Sequence, residues 1–254
     1  MRNLLSLLCA ALTGVTFAQN AFALVSVEAG GGQKERAFLY DTSTEKDKKK
    51  SVNGSEYFAS VYVDPIPLIP VAFGLAVQGY SYDTSKVDQE VLNDSLDSAG
   101  LTGTYSSTVD SKSSGMLYGP SIKVWAPIPF VKPYLKYTYL MGTEKATSDS
   151  SATSNATAPL SFALAVKGST TSTRTGSDIQ IGVGFSPIKL VGMFIEYAIH
   201  TGSTKLTDQN IDTTSTIGGA TTSSTATKSD LTDDDKRSKK ANSTSIRLGL
   251  SVGI

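Results

Sequence analysis

Chemistry that depends on sulfur has almost nothing to work with in this chain. Its 254 residues include one cysteine, Cys9, inside an N-terminal stretch that reads as an export signal. Once that stretch is removed no thiol remains, which excludes a disulfide framework, cysteine-ligated metals and thiol catalysis. Net charge is missing too: 23 Lys and Arg balance 23 Asp and Glu, so nothing points to nucleic acid. Beyond the first residues no apolar run is long enough for a transmembrane helix. A chain like this that is integral to a membrane has to be a closed barrel, because unpaired strand edges are not tolerated in hydrocarbon.

The export signal is expected over residues 1–23. Arg2 supplies the positive end, residues 4–15 the apolar run, and Ala21-Phe22-Ala23 a small-x-small cleavage site, with Thr16-Phe17-Ala18 as an alternative. The apolar run falls short of the ~20 residues a membrane anchor needs. Residues 24–254 then form one domain, long enough for a single all-β unit.

The final stretch, residues 243–254, sets the pattern for the rest. Ile246, Leu248, Leu250, Val252 and Ile254 alternate with Ser245, Arg247, Gly249, Ser251 and Gly253. Successive side chains of a strand point to opposite faces, so this ribbon has one apolar and one polar side. Seven earlier segments behave in the same way: 24–31 (with a possible continuation to 40), 56–63, 71–82, 116–125, 134–143, 177–185 and 190–200. Short turns rich in proline follow the second, fourth and sixth strands, at Pro65-Ile66-Pro67, Pro127-Ile128-Pro129 and Ser186-Pro187-Ile188-Lys189. Proline cannot donate to a strand ladder and restricts the residue before it. The other connections, 41–54, 83–115, 144–176 and 201–242, are long and rich in Ser and Thr, and 87–101 has room for a turn or two of helix. The apolar run 159–168 fits a strand extension or a folded loop; a ninth strand would need a tenth partner.

Eight strands of roughly the ~9–11 residues that a tilted bilayer crossing requires, with short and long connections alternating, resemble the small bacterial outer-membrane barrels of the OmpA, OmpX and OmpW type. Those barrels usually close on an aromatic carboxy-terminal residue, where this chain has Ile254. The resemblance implies an eight-stranded antiparallel up-and-down transmembrane β-barrel with long extracellular loops. It also implies contact with outer-membrane lipids and lipopolysaccharide, and passage through the barrel assembly machinery. The competing architecture, an exported water-soluble β-sandwich, is disfavoured because every second connection far exceeds the usual 2–6 residues.

Energetics fixes which parity faces in. A Lys or Arg facing lipid at the midplane costs ~2–4 kcal/mol, so the polar parity must line the lumen. That places Glu28, Lys123, Lys136, Asp178, Glu196 and Arg247 inside. Buried charges have to be paired. Closure of the barrel brings Arg247 between Glu196 and Glu28, with Lys123 and Lys136 looking toward Asp178. Inward Gly and Ala on the third, sixth and last strands leave room for a narrow cavity, although eight strands enclose a space that side chains fill. Tyr57, Tyr118, Tyr137, Tyr139 and Tyr197 point outward as an interfacial girdle, whereas a bulge beside its turn could swing Trp125 out.

His200, the single histidine, falls at the outer end of the seventh strand, followed by Thr201-Gly202-Ser203. A His–Ser pair supports acyl transfer only when an acid orients the imidazole, and a rim histidine is the simpler expectation. Asp233-Asp234-Asp235 lacks calcium-loop spacing, and no metal or cofactor is expected. Lys48 to Lys50 and Lys236 to Lys240 stand where lipopolysaccharide phosphates would be. The expected role is non-enzymatic: structural support, surface display or adhesion through the loops toward an external ligand. Passage of small solutes, as in the OmpW type, is the alternative, and a lipid-modifying rim enzyme the third.

Overall fold

The computed structural model describes residues 25–40, 48–65, 69–98, 105–128, 130–154, 161–188, 190–232 and 238–253. The expected export signal, Ile254 and the acidic run 233–235 lie outside these residues. Among the described residues ten strands and one α-helix follow in chain order, with a short 3-10 turn at Lys228–Asp230: β1 (Val25–Tyr40), β2 (Lys48–Val63), β3 (Val71–Asp83), α1 (Ser85–Ser98), β4 (Tyr105–Trp125), β5 (Val131–Ser154), β6 (Phe162–Ile188), β7 (Val191–Ile217), β8 (Ala220–Ala226), β9 (Lys239–Lys240) and β10 (Ser243–Gly253). Neighbours pair antiparallel from β1 through β7, and β10 closes the ring by pairing with both β7 and β1. The fold is an eight-stranded antiparallel barrel, as the sequence predicts.

Its sidedness is set by alternation. Leu248, Ile195 and Ile181 are 62%, 51% and 60% exposed, while their neighbours Arg247 and Glu196 are 2% exposed. Phe73 and Leu75 on β3, Tyr137 and Tyr139 on β5, and Val183 on β6 share the outer parity. Together they form an apolar belt around the cylinder. Water does not tolerate so much contiguous hydrocarbon, and monomeric soluble proteins rarely expose patches beyond a few hundred Å². An up-and-down barrel with an even strand count, an outward apolar band and a polar interior is the outer-membrane form. The chain is an outer-membrane barrel.

The long connections depart from expectation. Most of what reads as loop continues as strand. β5 and β6 stay paired from Val131↔Phe185 to Thr153↔Ala163, and β6 and β7 from Ile188↔Val191 to Phe162↔Ile217, with register shifts at Thr171/Ser172 and Phe185/Ile188. The apolar run at 159–168 enters β6 at Phe162 as a strand extension. β8 adds a further ribbon to the far side of β7 through a two-residue turn, Gly218-Gly219, with φ of 57° and 89°. Positive φ at both central residues is the type I′ requirement, which glycine meets without a Cβ penalty. Beyond the belt, β4 to β8 therefore form a sheet standing on the barrel. Along β6 it spans from Thr175 back to Phe162, roughly 45 Å at about 3.3 Å per residue.

α1 is a full helix of 14 residues, not a turn or two. Asp83 Oδ1 accepts the Ser85 N–H at 3.0 Å at its start, and hydrogen bonding to the Ser85 hydroxyl and then to this N–H holds that carboxyl below its ordinary range. Val87 enters the outer mouth of the barrel among Val52, Tyr80, Tyr82, Leu117 and Leu140. Gln89 Nε2 donates to Ser107 Oγ (2.5 Å), Ser107 Oγ donates to Asn93 Oδ1 (2.6 Å), and Lys50 is ion-paired with Glu90. The helix thus covers the β4 side of the standing sheet.

Candidate functional site

The lumen holds two buried charge clusters, and register decides who meets whom. On the lower level Arg247 is the hub. It donates from Nη2 to Glu56 Oε1 (2.7 Å) and Asp178 Oδ2 (2.9 Å), from Nε to Glu56 Oε2 (3.0 Å) and from Nη1 to Glu196 Oε1 (3.3 Å). Lys136 bridges Glu196 (2.7 Å) and Glu28 (2.6 Å), and Lys123 completes the pairing of Glu28. Lys34 binds Glu56 at 3.1 Å, and Gln78 Nε2 donates to Glu56 and to Asp178 Oδ2 (3.1 Å). Above them, Glu144 accepts from Arg36 Nη1 (2.5 Å), Tyr80 Oη (2.8 Å), Ser113 Oγ (2.8 Å) and Arg174 Nη1 (3.3 Å). Arg174 also donates to the Ala241 carbonyl at 2.9 Å, tying the last extracellular segment over the mouth.

All six residues picked from the sequence lie inside and belong to the lower cluster, but two expected pairings differ. Arg247 reaches Glu56 instead of Glu28. Glu28 lies opposite Ser251, further down, whereas Arg247 is level with Gly32, which in turn faces Glu56. Gly32 has no side chain, so Arg247 and Glu56 meet across it. Lys123 and Lys136 turn to Glu28 and Glu196 and do not reach Asp178. Asp178 is held by Arg247 and by His200 Nδ1 at 2.7 Å.

Sequence reasoning missed Glu56, Lys34, Gln78 and the whole Arg36–Glu144–Arg174 cluster. Glu56 shares parity with Phe58 and Ser60 opposite the outward Tyr57 and Val61, a signal present in the sequence. Glu144 and Arg174 lie in segments that read as loop.

The space expected beside the inward small residues is filled at Gly249 and Gly182. Phe194 lies over Gly249 and Tyr134 over Gly182; a Cβ on either glycine would come within 2.4 Å of the ring. Phe58, Tyr134 and Phe194 pack into one cluster with Trp125 against it, so Trp125 stays inward. Tyr134 Oη donates to Glu196 at 2.9 Å, and the ammonium of Lys136 lies 4.8 Å from the Tyr134 and Phe194 ring centres. Below this plug a vestibule of about 120 Å³ opens to the periplasmic end, lined in part by Lys123, Trp125 and Lys132.

His200 is not on the rim. It is 2% exposed, its Nδ1 bound to Asp178 and its Nε2 without a hydrogen-bond partner among the described residues. An imidazole shut in this way is placed for a structural bond, since a general base must reach the proton it takes. The His200→Ala chain is expected to lose about 1–3 kcal/mol through the weakened Asp178 site. Its lipid A, read by mass spectrometry, is expected to match that of the parent.

No protein-family model matches the chain, and no curated protein matches it. Among solved structures it is similar to Neisserial surface protein A, with 13% identity over 91% of this chain and 97% of that one at a TM-score of 0.39. It is also similar to Ail, the attachment invasion locus protein of Yersinia pestis, with 11% identity over 91% and 99% at 0.35. A third is the outer membrane protease OmpT from Escherichia coli, with 10% identity over 91% and 96% at 0.33. Nothing about substrate or activity follows from likenesses this distant.

Proposed function

We propose that this barrel is a membrane-anchored display scaffold whose work is adhesion through the standing sheet. The single observation behind this reading is the continuous pairing of β4 to β8 far above the apolar belt. A loop that only connected two strands would need a few residues; this chain instead builds paired ribbon with hydroxyls on it. Thr108–Ser151 (2.9 Å), Ser111–Ser148 (2.8 Å) and Ser215–Thr222 (2.8 Å) link neighbouring strands side chain to side chain. Such a surface offers many donors and acceptors at low conformational-entropy cost, which suits contact with an external ligand.

The filled lumen speaks against solute passage, because a conducting path would require both charge clusters to open. Lys239 and Lys240 are exposed and pair with β7 at Ser203 and Thr204, just above the belt, at the height where lipopolysaccharide phosphates would lie.

Trimming the sheet tests the reading. Residues 148–168 and 211–226 would each be replaced by Asn-Gly in cells displaying the chain. A barrel that still shifts on unboiled gels, with whole-cell attachment to an immobilised protein or cell layer reduced at least tenfold, is the expected result. Unchanged attachment by the trimmed barrel, or stepwise conductance of the full chain in planar bilayers, would overturn it.

A further inference from the structure

The standing sheet has two edges, and they are treated differently. On one side β4 is covered by α1. On the other, among the described residues, β8 pairs with β7 alone, and all of Ala220–Thr225 is exposed. Natural sheets usually protect such an edge with lysine, proline or a bulge. β8 reads Ala-Thr-Thr-Ser-Ser-Thr-Ala, with no charge, no proline and no regular break in its ladder to Ile211–Ile217.

The sequence of β8 is nearly its own reverse. Laid antiparallel on a second β8 about Ser223, Ala220 faces Ala226, Thr221 faces Thr225, Thr222 faces Ser224, and Ser223 faces itself. Every rung is then small with small or hydroxyl with hydroxyl. The hydroxyl rungs are of the kind found in the middle of the β7–β8 ladder, where Thr216–Thr221 and Thr214–Ser223 lie at 2.9 Å and 3.4 Å, while its two ends set Ala226 against Ile211 and Ala220 against Ile217. An antiparallel match of identical strands is isologous, with a two-fold axis through the sheet at Ser223. Because β8 runs from the tip of the sheet back toward the membrane, that axis turns the second barrel upside down. Two copies in one membrane stand the same way up and cannot meet like this; two copies in facing membranes can.

We infer that the free edge of β8 joins a second copy of this chain from an opposing membrane, merging two standing sheets into one. This rests on the adhesive reading above and names its partner. Ten residues of β7 below the shared rungs, 201–210, keep each tip clear of the facing bilayer. The two stems and seven rungs together set a gap of roughly 90 Å at most, at about 3.3 Å per residue. A seven-residue ladder is weak alone, and the many copies on each surface supply the avidity.

The test uses outer-membrane vesicles carrying the full chain, in two fluorescent pools. Parent vesicles are expected to cluster across pools. Ser223→Lys vesicles and Ser223→Asp vesicles, each mixed with their own kind, are expected to cluster at least tenfold less, because the axis sets like charges opposite each other. Lysine vesicles mixed with aspartate vesicles are expected to recover clustering. Ser223 is exposed, so an unchanged gel shift on heating would show both barrels folded. Clustering of lysine-only vesicles at the parent level, a mixture no better than either variant alone, or equal binding of parent vesicles to vesicles without the chain would overturn the inference. Parent vesicles that stay dispersed while cells still attach through the sheet would sink the homotypic partner and leave the adhesive reading standing.

Discussion

An Arg247→Met chain is expected to lose about 3–5 kcal/mol of barrel stability, the cost of removing one partner from a buried ion pair. The figure is large because Arg247 serves three carboxylates at once, those of Glu56, Asp178 and Glu196. Methionine has a similar reach and fills the space beside Phe58, over whose ring the guanidinium sits at 5.3 Å. Packing is thereby largely kept and the loss is electrostatic. What remains around the three acids includes Lys34, Lys136, His200, Gln78 and Tyr134, each already engaged. Arg247→Lys should fall between, since one ammonium cannot fork to three partners. Pairing Arg247→Met with Glu56→Gln should recover part of the loss, because an unpaired buried charge goes with it. Urea unfolding of the reconstituted barrel, read as the fraction that still shifts on unboiled gels, would give the coupling between Arg247 and Glu56 from the double-mutant cycle. A parent-like midpoint for Arg247→Met would mean that the cluster contributes nothing to stability.

How much of this was legible in the sequence depends on where each residue sits relative to the belt. Inside it, lipid on one face and a polar lumen on the other force an alternation that any reader can follow, and β10 shows it from Ile246 to Val252. Strand number, parity, the three proline-bearing turns and the inward placement of Glu28, Lys123, Lys136, Asp178, Glu196 and Arg247 come from it. Above the belt both faces of a strand meet water, so Ser and Thr occupy either parity and the period of two disappears. Residues 144–154 and 169–176 therefore read as loop although they are strand, and Glu144 and Arg174 were lost with them. Partner choice was hidden for a different reason. Whether Arg247 meets Glu28 or Glu56 depends on the stagger between β10, β1 and β2, which no single strand encodes. His200 carried the parity of an inward residue; its burial beside Asp178 followed from β6 and β7 running on past the level where the belt ends.

The second large effect concerns the residue next to the hub. Leu248→Arg is expected to cost about 2–4 kcal/mol, and Val252→Arg only about 0–1 kcal/mol, because an outward arginine is penalised by its depth in the bilayer. Leu248 is 62% exposed and lies level with Ile195 in the middle of the belt, while Val252 pairs with Val27 and Val191 near the periplasmic end. In water the order would vanish: two exposed leucine-like positions on one strand would tolerate arginine equally, and both changes would improve solubility. The same guanidinium is thus required at position 247 and costly at 248, one residue and one face apart. Folding into vesicles of defined chain length gives the decisive measurement. Thinner bilayers should shrink the Leu248→Arg penalty and leave the Arg247→Met penalty unchanged, since only the first arises from hydrocarbon outside the barrel. Equal penalties at 248 and 252, in any bilayer, would remove the lipid from the outer face and the membrane from the account.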